Sequence, residues 1–171
     1  AASLLKRYPD LEAMLADKPD ALWVMTPVFP RIEIFKAGFE AGCHIFTEKP
    51  LALNNKDAET CVKMAKDYGK ILGFGCNERH SPPSYTMWKI FNDGTLGSLI
   101  KAYAQTFITR DNEFWAKKFN QADAWRLSFD NCGGRIFEFS IHLVNWLQWI
   151  GGDPVYVAGC HDAVSTCLAE N

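Results

Sequence analysis

The sequence predicts an α/β fold whose first part is a parallel sheet. In residues 1–78, short apolar runs rich in β-forming residues alternate with segments of helical periodicity, which is the pattern of βαβ units. After Ser81-Pro82-Pro83 this alternation stops. We therefore predict two parts, residues 1–78 and residues 79–171.

Three strands and two connecting helices are predicted in the first part. The β-rich runs are residues 20–26, 43–47 and 71–76. Between them, one helix runs from about residue 30 to 41, and a second begins at a cap on Asn54 or Asn55 and ends at Gly69. The second helix has small and apolar residues at helical spacing, namely Ala58, Cys61, Val62, Ala65 and Tyr68.

Right-handed crossovers bring the segments after the three strands to one edge of the sheet. These segments are Thr26-Pro27, Glu48-Lys49-Pro50 and Asn77-Glu78-Arg79. Open α/β sheets bind their ligands at this edge, so we expect a binding site there.

The second part has a different pattern. A helix with Tyr85, Trp88, Ile90 and Phe91 is predicted to stop at Asn92-Asp93-Gly94. Alternation over residues 99–109 predicts an antiparallel strand, a helix is expected from Gly133-Gly134 to Gly151-Gly152, and residues 155–157 begin another strand.

Composition and charge exclude several classes of protein. The 171 residues are 48% hydrophobic and 22% charged, with a formal net charge of −2 and no block of like charges. This is not the electrostatic signature of a nucleic-acid-binding protein. The apolar runs break at Pro, Gly or charged residues well short of the roughly 20 residues that a membrane-spanning helix needs.

The six cysteines lack any C-x-x-C pair, and the chain has no N-glycosylation sequon. We therefore expect reduced thiols and a cytoplasmic location.

Glu48-Lys49-Pro50 places an acid and a base at the end of a buried strand. Lys49 there could orient a substrate hydroxyl and stabilise a developing oxyanion. A surface ion pair worth about 0–1 kcal/mol is the alternative, and the local residues alone leave both open.

Glu138 and His142 stand four residues apart and are predicted to share a helix face, which Asn145 continues. A carboxylate beside a histidine can hold its tautomer and raise its basicity, as a proton acceptor from an alcohol requires. A pair with no chemical role and a metal site are the alternatives. We predict no metal, because no third ligand lies at short range.

Six motifs occur in an order that resembles the glucose-fructose oxidoreductase/inositol dehydrogenase (Gfo/Idh/MocA) family. They are Thr26-Pro27, the run from Ala41 to Ala52 with Glu48-Lys49-Pro50, Gly73-x-Gly75-x-Asn77-x-Arg79, Gly94-x-Leu96-Gly97, Trp125-Arg126, and Gly133-Gly134 with His142. The resemblance implies part of an NAD(P)-binding Rossmann domain in residues 1–78. It implies the first part of a substrate and oligomerisation α/β domain, with a largely antiparallel sheet, in residues 79–171.

The resemblance also implies roles for individual residues. Lys49 and His142 would be catalytic, with Glu138 assisting. Lys49 and Pro50 would be joined by a bond that is often cis in the family. The cofactor, NAD or NADP, would contact Thr26, Pro27, Glu48, Lys49, Pro50, Trp125 and Arg126. A sugar or polyol substrate would contact Lys49, Arg126, Glu138, His142 and Asn145, in a protein expected to be a homo-oligomer.

The chain departs from the family's pattern at several positions. The family has His in place of Arg31, Asp in place of Glu138 and of Asn145, and Phe in place of His80. No G-x-G-x-x-G turn opens the chain, so we expect a fragment of a protein about twice as long or a truncated product.

The leading hypothesis is therefore an NAD(P)-dependent oxidoreductase acting on a sugar, polyol or related hydroxy compound. The departures at Arg31 and Glu138 motivate an alternative, a catalytically silent sugar or dinucleotide sensor. NAD-dependent glycoside cleavage on the same scaffold is a third hypothesis.

Overall fold

The computed structural model describes residues 5–106, 125, 129–132 and 136–159. Its helices are α1 (Leu11–Ala16), α2 (Arg31–Glu40), α3 (Asn55–Asp67), α4 (Pro82–Asn92), α5 (Phe129–Cys132) and α6 (Ile141–Gly151). Its strands are β1 (Ala21–Val24), β2 (His44–Glu48) and β3 (Leu72–Gly75). A 3-10 turn covers Asn77–His80, and a π-helical turn covers Ile136–Ser140. None of these helices is long and apolar enough to cross a membrane.

The three strands form one parallel sheet in the order β1-β2-β3. Leu22 pairs with Ile45, which pairs in turn with Leu72. The predicted parallel α/β architecture of the first part is therefore confirmed, and all three strands end at the same edge.

The core lies between one face of this sheet and the helices α2 and α3. On α2 the buried residues are Arg31, Phe35, Gly38 and Phe39. Their spacing of four, three and one is that of a single helix face. Gly38 lets α2 approach the sheet closely, because a Cβ built on it would lie 2.8 Å from Leu22 Cδ1.

The opposite face of the sheet carries exposed aromatic side chains. Trp23 is 67% exposed and Phe46 is 41% exposed, and their rings meet edge to face with centroids 5.4 Å apart. Phe46 also lies over Gly73, where a Cβ would come within 2.7 Å of its Cδ2 atom. Among the described residues, this apolar face is therefore less covered than the face that packs on α2 and α3.

α3 begins as the sequence predicts. Asn54 is the N-cap, and its Oδ1 accepts a hydrogen bond of 2.9 Å from the backbone N–H of Asp57. Cys61 and Ala65 face the core, whereas Val62 and Tyr68 of the predicted apolar face are 42% and 41% exposed.

The regular secondary structure described in the second part is helical, and the two strand predictions for this part are wrong over the described residues. Residues 99–106 and 155–157 have no strand conformation, and Val155, Tyr156 and Val157 are exposed. A strand requires backbone hydrogen bonds to a neighbour. The only described strands are the three of the first sheet, and none of them pairs with residues 99–106 or 155–157. Residues 107–109 lie outside the described part.

Helix α4 confirms the helix predicted there, and it ends before Asp93. The helix expected from Gly133-Gly134 is described only from Ile136, and it is α-helical from Ile141. Gly133 and Gly134 lie outside the described residues. Helix α1 and the 3-10 turn are elements that the sequence reasoning does not predict.

Candidate functional site

The ends of β1 and β2 are joined by one buried cation. Arg31 is only 3% exposed, and its Nε and Nη2 donate to the backbone oxygen of Thr26 at 3.2 and 2.7 Å. Its Nη1 donates to the backbone oxygens of Glu48 and Pro50. One guanidinium thus holds two of the three predicted ligand-binding segments together.

The Lys49–Pro50 peptide bond is cis, as the resemblance implies. Pro50 is buried, while Glu48 and Lys49 are half-buried beside the sheet edge. Lys49 therefore stands at the carboxyl end of β2, where the sequence places it.

The thiol of Cys76 lies just after β3, close enough to Glu48, Lys49 and Arg79 for their charges to affect its pKa. Burial raises the pKa of Cys76, and the positive charge of Arg79 opposes that rise. Glu48 raises the pKa of the same thiol and Lys49 lowers it. The ends of β2 and β3 therefore place their charges around one buried sulfur.

Arg79 connects this edge to α6. Its Nε donates to Oδ1 of Asn145 at 2.5 Å, and its Nη2 donates to the backbone oxygen of Asn145 at 3.1 Å. Its guanidinium also lies over the ring of Trp149, 5.5 Å from the centroid, and Trp149 stacks on Trp88 of α4 at 5.4 Å. Asn145 is thus held by Arg79, one helical turn from His142.

A cavity of about 560 Å³ lies along α6. Its lining includes His142 and Trp146 of α6 together with Glu78, Ser84, Tyr103 and Gln105. His142 is half-buried and its Nδ1 atom is buried. The volume and the mixture of aromatic walls with a few polar groups are typical of a site for a small polar molecule.

Glu138 lies in the π-helical turn that precedes α6. The argument that Glu138 and His142 share one face assumes α-helical rotation throughout. The turn Ile136–Ser140 is π-helical and not α-helical, and the shared face stays a prediction. Such turns occur often at functional sites.

The remaining predicted site residues are placed as follows. Thr26, Pro27, Glu48, Lys49 and Pro50 come together at the sheet edge, and His142 and Asn145 lie on α6. Trp125 has a half-buried side chain, and Arg126 lies outside the described residues. Over the described ranges, no three His, Cys, Asp or Glu side chains are grouped as metal ligands would be.

Two groups of residues are not predicted from sequence as part of the site. Tyr103 and Gln105 belong to the stretch whose alternation predicts a strand. That prediction gives them no part in a binding site. Arg31 carries a sequence signal that could have found it, because it shares the helix face of Phe35 and Phe39 and so is directed into the core.

Comparison with known proteins gives consistent matches. Residues 2–76 match the family model GFO_IDH_MocA, described as an oxidoreductase family with an NAD-binding Rossmann fold. The chain is 26% identical over 148 residues to D-glucoside 3-dehydrogenase of Escherichia coli, covering 86% of this chain and 40% of that protein. It is 30% identical over 165 residues to inositol 2-dehydrogenase of Rhizobium meliloti, covering 87% and 46%.

A solved structure with a similar fold is the WlbA dehydrogenase of Bordetella pertussis in complex with NADH and UDP-GlcNAcA. The TM-score is 0.76 at 26% identity, over 88% of this chain and 42% of that one. The chain thus spans less than half the length of these relatives.

Proposed function

Because residues 2–76 match the Gfo/Idh/MocA family model, we propose that the protein is an oxidoreductase of this family and transfers a hydride between NAD(P) and a sugar, polyol or related hydroxy compound. One observation carries the proposal. The Glu48-Lys49-cis-Pro50 segment ends a parallel strand at the ligand-binding edge, and Arg79 connects that edge to the helix bearing His142. Relatives whose names describe dehydrogenases of glucosides and inositol support a hydroxylated substrate.

Several residues at the sheet edge fit a nicotinamide cofactor. Half-buried Lys49 offers a cationic donor, and Arg31 fixes the main chain of Thr26, Glu48 and Pro50 around it. The bound cofactor supplies the hydride acceptor or donor. We propose that Thr26, Pro27, Glu48, Lys49 and Pro50 contact it, together with Trp125 and Arg126 at the border between cofactor and substrate.

The proton of the reacting hydroxyl needs a separate acceptor. Neutral histidine can accept a proton near neutral pH, and His142 lines a cavity large enough for a sugar-sized molecule. In the proposed reaction Lys49 donates a hydrogen bond to the hydroxyl oxygen and stabilises its developing negative charge. A nitrogen of His142 takes the proton, and Glu138 assists.

The organisation that goes with this function is also a proposal. Residues 1–78 would belong to the nucleotide-binding domain and residues 79–171 to the substrate domain, where Asn145 and Arg126 would contact the sugar. We propose a cytoplasmic homo-oligomer.

Turnover in the full-length native protein tests the proposal. NAD(P)H formation is followed with a panel of aldoses and polyols for wild type, Lys49→Ala and His142→Ala. Loss of one acid-base group removes about 10²–10⁴-fold of the rate, so we expect a fall of at least about 100-fold in each variant. Lys63→Ala, which removes only an exposed ion pair with Asp67, is the matched control and retains turnover.

Two outcomes contradict the proposal in different ways. Undiminished turnover in both variants removes the assigned roles. Tight binding of cofactor or sugar by wild type, with no turnover across the panel, favours the sensor hypothesis instead.

A further inference from the structure

We propose that Arg31 is a positioning residue for the cofactor site, acting through the main chain of the two segments that it joins. This inference rests on the proposed function, since it concerns how the cofactor-contacting residues are held. Arg31 itself is placed beneath the site, on the face of α2 that packs on the sheet.

The first argument is the environment of the charge. A buried cation is costly unless its donors are satisfied. Arg31 is 3% exposed, and within the described part of the chain its guanidinium donates to the backbone oxygens of Thr26, Glu48 and Pro50. The charge is therefore stabilised by the segments after the two strands.

The second argument is the distance along the chain that the contacts span. Thr26 is five residues from Arg31, whereas Glu48 and Pro50 are 17 and 19 residues away. The same side chain thus fixes the turn after β1 against the turn after β2. Lys49 lies between its two β2-side acceptors, so the position of its backbone depends on Arg31.

The third argument is the shape of the group. A guanidinium presents five donors in a rigid plane, whereas an ammonium is a compact point on a flexible stem. Nε and Nη2 point to one segment and Nη1 to the other, and this division needs a planar fork. Lysine at this position keeps the positive charge but cannot hydrogen-bond to both segments in the same way.

The test compares Arg31→Lys and Arg31→Met with wild type in the full-length native protein. Lys36→Met is the matched control, because Lys36 is an exposed cation on the same helix. Three quantities are measured: the Michaelis constant for the cofactor, the Michaelis constant for the sugar, and amide hydrogen exchange without ligand. Peptides covering residues 26–29 and 48–52 report the two segments, and α3 reports the rest of the domain.

A positioning role predicts a split between the two substrates. The cofactor constant rises by at least about tenfold in Arg31→Lys, equivalent to about 1.4 kcal/mol. The sugar constant rises by a smaller factor, because Lys49 is the one proposed sugar contact in a tethered segment and the described lining of the cavity contains neither segment. Exchange rises in residues 26–29 and 48–52 and is unchanged in α3.

Other outcomes overturn the inference. If Arg31→Lys and Arg31→Met leave the Michaelis constant for the cofactor and the exchange of residues 26–29 and 48–52 as in wild type, Arg31 has no positioning role. If wild type binds neither NAD nor NADP, the proposed function fails together with the cofactor part of this inference. The exchange measurement then decides separately whether Arg31 holds the two segments.

Discussion

Gly38 and Gly73 offer a matched pair of substitutions that tests the packing of the sheet. At Gly38 an added Cβ would lie 2.8 Å from Leu22 Cδ1 and 3.3 Å from Ile45 Cδ1. At Gly73 it would lie 2.7 Å from Phe46 Cδ2. The two overlaps are nearly equal, but their surroundings differ.

The neighbours of Gly38 are confined, whereas the neighbour of Gly73 can move. Leu22 and Ile45 are 6% and 2% exposed, so neither side chain has space to turn aside. Phe46 is 41% exposed and its ring can rotate towards solvent. We therefore expect only Gly38→Ala to transmit its overlap to the backbone.

The expected change in the free energy of unfolding of Gly38→Ala is the difference between an overpacking cost and a gain in helix propensity. Ordinary carbon contacts are about 3.5–4.0 Å, so α2 must move roughly 1 Å from the sheet in Gly38→Ala. Overpacking of this kind costs about 1–3 kcal/mol, and the better helix propensity of alanine returns about 1 kcal/mol. The net expected destabilisation is about 1 kcal/mol, or roughly 3 °C in melting temperature.

Urea and thermal unfolding of the full-length native protein measure both variants. Gly73→Ala is expected to stay within about 0.5 kcal/mol of wild type, as substitutions that find space do. An unchanged or raised midpoint for Gly38→Ala would refute the argument from confinement, and so would equal losses in the two variants.

Two further predictions concern the site and a buried thiol. Asn145→Leu removes the side-chain acceptor of Arg79, and a lost hydrogen bond to a charged group lowers the free energy of unfolding by about 1.5 kcal/mol in urea. Asn145→Asp retains the acceptor, so a loss of the same size there would contradict this explanation. Burial raises the pKa of Cys61 from its ordinary value of 9.0 to about 11, so the folded protein retains a proton that the unfolded chain releases, and stability falls as pH rises from 9 to 11. A Cys61→Ala variant has a flatter stability profile over this range, and identical slopes would contradict the assignment.

The first part of the fold could be predicted from sequence because its signals are local. Strand runs, a capping asparagine at Asn54 and terminating glycines each report on a few neighbouring residues. Parallel pairing then follows from the crossover rule, without any knowledge of distant contacts. The edge that carries Thr26 and Lys49 follows in the same way.

The second part could not be predicted to the same depth, for physical reasons. The alternation in residues 99–106 describes a side-chain pattern, but a strand also depends on a neighbour elsewhere in the chain. The π-turn before His142 departs from α-helical geometry, and the residue spacing in the sequence gives no signal of it. The spacing of Arg31 from Phe35 and Phe39 indicates that it faces the core. Its contacts could not be predicted, since arginine is expected at the surface and its acceptors are main-chain oxygens that any residue provides.

The attachment of Arg31 to main-chain oxygens has a consequence for how this site can diversify. Every residue contributes a carbonyl oxygen, so substitution at Thr26 or Glu48 leaves the acceptors of Arg31 in place. Side chains at these two positions can therefore change, in evolution or by engineering, while the loops that carry them keep their shape. The hydrogen bonds that join these two loops thus depend on Arg31 and on the main chain, and not on the side chains at positions 26 and 48.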